Sequence, residues 1–160
     1  MKNLIGFLIL AIVFTACQKK QYTASSPEID LVKKVDESFQ NADFAAYRSA
    51  YADTTKVWYN DWNGVSTPID SVVKALQTAR SNFADIKMNM PIYEMITTDD
   101  GQQWVHRWTK WEATLKNGKS VSWPSHASFL VSDGKIRGAG YIFNALPGYL
   151  ANQPDSAAQK

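Results

Sequence analysis

Asp61 and His106 are the candidate pair in this sequence for moving protons near neutral pH. His106 stands between Trp104 and Trp108 in an alternating run. An imidazole beside tryptophans in an apolar setting crosses the neutral range with modest shifts, so it could act as acid or base. A hydrogen-bonded core histidine fits the same pattern. Asp61 lies in the turn-rich Asn60-Asp61-Trp62-Asn63-Gly64, where a carboxylate is either a base or a residue that favours the turn. As a working pair they must reach one reacting position, directly or through a water. Two histidines and a single cysteine do not build a tetrahedral Cys/His zinc site, and neither a metal nor another cofactor is expected.

That cysteine, Cys17, follows Met1-Lys2-Asn3, an apolar stretch from residue 4 to 14, and Thr15-Ala16. The order is that of a secretory leader: basic end, short apolar segment, small residues before the cut. The stretch is about half the roughly 20 residues of a spanning helix. Its end resembles the lipobox of bacterial lipoproteins, with Phe14 in place of the usual leucine. The resemblance implies cleavage after residue 16, acylation of Cys17 and export; Gln18, in place of the aspartate associated with inner-membrane retention, points to the outer membrane facing the periplasm of a Gram-negative bacterium. The 160 residues less a 16-residue leader leave 144, of which about 120 suffice for one domain. Lys2 is the leader's only charge, so 16 basic and 15 acidic side chains follow it. That balance excludes a nucleic-acid groove.

Positions 17–26 form a lipidated tether, 27–145 the domain, and 146–160 a flexible tail. Ser26-Pro27-Glu28 starts a helix with a serine cap, and Ile29, Val32, Val35 and Phe39 form its buried stripe. Asn41-Ala42-Asp43 recaps the chain for a second helix carrying Phe44, Tyr47 and Tyr51 to about Asp53. A short strand is expected at 55–59. Thr67-Pro68-Ile69-Asp70 fits a capping box, and Ile69, Val72, Val73, Leu76 and Phe83 have helical spacing. Four strands follow, at 87–98, 102–115, 120–132 and 135–144. They are parted by Asp99-Asp100-Gly101, Asn117-Gly118 and Asp133-Gly134, all good hairpin turns. The fold class is α+β: a curved antiparallel sheet packed against three N-terminal helices.

Asn41-Ala42-Asp43-Phe44, Tyr51-Ala52-Asp53, Asp61 with Gly64, and Phe129 through Asp133-Gly134-Lys135-Ile136 come in an order that resembles the nuclear transport factor 2-like superfamily. That superfamily includes the SnoaL-like polyketide cyclases and the ketosteroid isomerases. The resemblance covers roughly residues 28–144 and implies a cone of helices and sheet around an apolar pocket, the outer sheet face forming a homodimer. The isomerase branch uses an aspartate base with tyrosine and protonated aspartate donors. Asp61 matches the base with a two-residue displacement, but the donor positions fall on Val35 and near Ala127.

Alternation puts Trp104, His106, Trp108, Lys110 and Glu112 on one face of the second long strand, and Val105, Arg107, Thr109, Trp111, Ala113 and Leu115 on the other. The isomerase register implies that the first set faces the cavity, with Trp123, Ser125, Ala127 and Phe129, and that Ala139, Tyr141 and Phe143 close it. Trp111 and Leu115 would then lie at the dimer surface, and His126 would point away from the cavity. A β-bulge would exchange the faces beyond it, and Pro124 is a place for one. Lys110 and Glu112 could pair at the cavity mouth or lie exposed. With Tyr59 and Trp62, the aromatic set describes a binding site for a small apolar or aromatic molecule. The expectation is a lipid-anchored periplasmic binding domain. Its alternatives are a SnoaL-like acid/base enzyme using Asp61 and His106, and a dimerising scaffold whose cavity is filled.

Overall fold

The computed structural model describes residues 21–61, 63–151 and 153. The leader, Cys17 and Trp62 lie outside them. Among the described residues four helices and seven strands follow the order β1 (Tyr22–Thr23), α1 (Pro27–Gln40), α2 (Phe44–Ser49), β2 (Tyr51–Tyr59), β3 (Thr67–Pro68), α3 (Ile69–Arg80), β4 (Phe83–Thr97), β5 (Gln103–Leu115), β6 (Ser120–Ser132), β7 (Lys135–Phe143) and α4 (Leu146–Ala151). One curved sheet orders them β1-β4-β5-β6-β7-β2-β3. The α+β architecture expected from the sequence is therefore present, with helices on one face of the sheet.

Capping sets the first two helices. The Ser26 hydroxyl accepts from the Ile29 amide at 3.2 Å with Pro27 at the first turn, and Asp43 accepts from the Ala46 amide at 2.9 Å. Ile29, Val32 and Val35 are buried against Val105, Phe129 and Ile136 of the sheet. Several boundaries differ from the sequence expectation. The second helix stops at Ser49, because Tyr51 opens β2 and pairs with Ile136. Thr67 and Pro68 pair with β2 instead of forming a capping box, and Pro68 occupies the cap position without a side-chain hydrogen bond. Phe83 begins β4 rather than ending α3. Tyr22 and Thr23, expected in the tether, pair with Ile96 and Met95. Part of the expected tail is helical, α4.

Two local geometries decide which side chains reach the interior. Between β5 and β6 the loop holds three residues, 116–118: the Leu115 amide donates to Lys119 O and the Gly118 amide to Leu115 O, each at 2.9 Å. Gly118 has φ 83°, the left-handed value that closes a three-residue hairpin. Trp111 therefore pairs with Trp123 and Arg107 with Ala127. A two-residue turn at Asn117-Gly118 would have set Trp108 opposite Ala127 and so on one face with it, the face sharing the isomerase resemblance implied. The second geometry is a bulge in β4 between Asn89 and Ile92, where Met90 has φ 48°. The bulge lies there and not at Pro124, which pairs with Lys110 in unbroken register.

Candidate functional site

The helices and the concave sheet face enclose a cavity of about 290 Å³. Phe39 of α1, Phe83 of β4, Trp111 of β5, Trp123 of β6 and Tyr141 and Phe143 of β7 give it aromatic walls. Ala145, Gly148 and Tyr149 line it from the segment around α4. Phe39 and Trp111 meet edge to face at 5.5 Å, and Trp111 and Trp123 lie stacked at 6.5 Å.

Polar groups enter this apolar volume at its inner part. Arg107 of β5 is 1 % exposed and lines the cavity beside Asp36 of α1. Asp36 Oδ1 lies 3.7 Å from Arg107 Nη1, and Asp36 Oδ2 accepts from the Tyr93 hydroxyl at 3.0 Å. The guanidinium sits over the Trp111 ring at 5.5 Å. Arg107 Nε and Nη1 are buried without a hydrogen-bond partner. Burial raises the Asp36 pKa above the ordinary carboxylate value, against the opposing pull of Arg107.

Nearby, Tyr47, Tyr51 and Tyr141 join their hydroxyls in a triangle with sides of 3.0, 3.1 and 3.2 Å. Each phenol can donate once and accept once around such a ring. Burial pushes Tyr47 up to about 12 and raises Tyr51 and Tyr141 as well, so all three are protonated at neutral pH. Tyr47 and Tyr141 line the cavity, and Tyr59 stacks on Tyr141 at 5.5 Å.

The two residues expected to transfer protons do not meet in this cavity. Asp61 is exposed and organises its own turn: its carboxylate accepts from the Asn63 amide at 2.9 Å. A Cβ at Gly64 would approach Asp61 Oδ2 to 2.9 Å, so a larger residue there would displace the Asp61 side chain. His106 lies on the opposite sheet face, because the three-residue hairpin sets odd-numbered residues of β5 inward. It contacts His126 Nε2 through Nδ1 at 3.2 Å and Ser128 Oγ at 3.0 Å, and burial lowers its pKa.

Trp104 and Trp108 are corrected with it to the outer face. Trp108 packs on His126 at 4.0 Å and donates to Glu94 at 3.1 Å. Trp111 and Leu115, expected at the dimer surface, are buried inside. Lys110 and Glu112 pair at 3.3 Å on the outer side, away from the cavity mouth. His126 lies on the outer face, the side expected for it.

Trp123, Tyr59, Tyr141 and Phe143 line the cavity; Ala127 and Phe129 lie fully buried on the same sheet face, behind it. Sequence reasoning did not select Asp36, Arg107, Tyr47 or Phe39. One signal for β5 was present: Val105, Trp111, Ala113 and Leu115 are the more apolar set, whereas Lys110 and Glu112 belong to the other.

The fold is that of nuclear transport factor 2-like proteins, the SnoaL-like polyketide cyclases among them. A candidate polyketide cyclase from Xanthomonas campestris pv. campestris is similar with a TM-score of 0.64 and 19 % identity, over 81 % of this chain and 98 % of that one. An NTF2-like protein of unknown function from Burkholderia pseudomallei gives 0.60 and 16 %, over 76 % and 94 %. An LEH-like epoxide hydrolase of M. tuberculosis gives 0.56 and 15 %, over 78 % and 87 %. No family model and no curated protein matches the sequence.

Proposed function

We propose that this chain is a lipid-anchored domain facing the periplasm that holds a small apolar or aromatic molecule in its cone. The observation that carries the binding reading is the open cavity of about 290 Å³ with aromatic walls. A scaffold with a filled interior fits that volume poorly. Separation of Asp61 from His106 removes the acid/base pair on which the enzyme reading rested. Native mass spectrometry of the purified chain tests the binding reading. Wild type should carry a small-molecule adduct or take up 2-naphthoate, and Ser125→Trp, which fills the cavity from β6, should do neither. An empty wild type that takes up no aromatic probe overturns the reading.

The anchor rests on Cys17 behind its apolar leader. Cys17→Ser should move the protein from the membrane to the soluble fraction; unchanged fractionation refutes lipidation. The outer sheet face is the surface for a second copy. Ile92, Trp108, His126 and Ile142 pair in one row across β4, β5, β6 and β7, and Ile92 and Ile142 are each 62 % exposed.

A further inference from the structure

Among the described residues lining the cavity, Arg107 is the only cation and Asp36 the only carboxylate. Their arrangement leaves a specific demand unmet. Asp36 supplies a countercharge at 3.7 Å, beyond hydrogen-bond length, and gives its other oxygen to Tyr93. Arg107 Nε and Nη1 thus hold buried N–H groups without acceptors. A buried donor left unmatched costs about 1–3 kcal/mol, and more when charged. The guanidinium cannot lose its proton to escape that cost. The guanidinium packs over Trp111, and the open volume beside it is walled mainly by flat aromatic rings. The missing partner is therefore an oxygen brought in by a flat, otherwise apolar molecule.

Charge decides which oxygen. A neutral carbonyl and a carboxylate can both accept from the guanidinium, but only the carboxylate adds the attraction of opposite charges, which is strong away from water. Asp36 supplies its charge without a hydrogen bond, and the phenols Tyr47 and Tyr141 are protonated and bring none. We propose that the cone selects a planar aromatic carboxylate, its ring against Trp111 and Trp123 and its carboxylate on the Arg107 guanidinium. This specificity rests on the binding reading above and adds the ligand class to it.

Three naphthalenes of similar size separate the two claims: 2-naphthoate, 2-acetylnaphthalene and 2-isopropylnaphthalene, titrated into the full chain with tryptophan fluorescence as readout. The carboxylate should bind at least about tenfold tighter than the ketone or the hydrocarbon, as a charge-assisted bond predicts. In Arg107→Met/Asp36→Asn, which removes both charges together, the three affinities should converge while the hydrocarbon still binds. A ketone or hydrocarbon that matches the carboxylate in wild type overturns the proposal and leaves the binding reading standing. A carboxylate preference that survives in the double variant also overturns it, since another group would be responsible. If none of the three binds, the binding reading falls and the specificity with it. The wild-type comparison decides the matter even where the double variant folds poorly.

Discussion

Arg107→Met is expected to lower the unfolding free energy by about 3–5 kcal/mol, and adding Asp36→Asn should return most of that loss. Arg107 is almost fully buried, and so is Asp36, at 5 % exposure. Removing the guanidinium strands a carboxylate in a low-dielectric wall, with the Tyr93 hydroxyl as its remaining support. Desolvation already raises the Asp36 pKa with Arg107 present; without the cation only the Tyr93 hydrogen bond opposes that penalty. Methionine fills much of the space of the arginine stem, so lost packing is the smaller part of the effect. Asparagine keeps an oxygen for Tyr93 and carries no charge to desolvate. Urea unfolding of the single and double variants measures the difference. A double variant as unstable as Arg107→Met would mean that packing over Trp111, not charge pairing, dominates.

Phe129→Ala is expected to cost about 3–5 kcal/mol and to lower the melting temperature by roughly 10–20 °C. The ring is fully buried in β6, between Val105 and Ala139 on the neighbouring strands. It meets Tyr141 edge to face at 5.7 Å. Hydrogen-bonded strands on both sides prevent collapse into the space left behind, which is the condition under which a large-to-small change costs most. The gap would also loosen Tyr141 and hence the phenol triangle. Thermal unfolding followed by circular dichroism gives the value; a loss below about 1.5 kcal/mol would show that the neighbours close over the hole.

Local chemistry made most of the elements legible. Ser26-Pro27 and Asp43 announce helix starts, and three glycine-containing turns announce a run of long strands. The family resemblance added the cone. Orientation was less accessible, because it turns on single residues: whether the loop before Lys119 holds two or three of them, and whether an extra one is accommodated at Met90. One residue of loop exchanges both faces of β5, which is why His106 and Trp108 were placed inside and Arg107 outside. The resemblance-based register also outweighed the apolar bias of Val105, Trp111, Ala113 and Leu115. The phenol triangle was inaccessible for another reason: Tyr51 and Tyr141 meet through a parallel β2–β7 pairing that no local pattern announces. The helical segment at 146–151 was hidden by Pro147, which reads as tail together with Pro154 and the Ala, Gln and Ser around it.

That parallel pairing also constrains when the domain can acquire its structure. Tyr51 finds its strand partner at Ile136, and Tyr59 at Tyr141, so an early strand waits for nearly the last one made. Pairings this distant in sequence pay loop-closure entropy before any contact rewards them, and they slow folding. A chain made from its N-terminus onward keeps β2 without its β7 partner until nearly the whole domain has been synthesised.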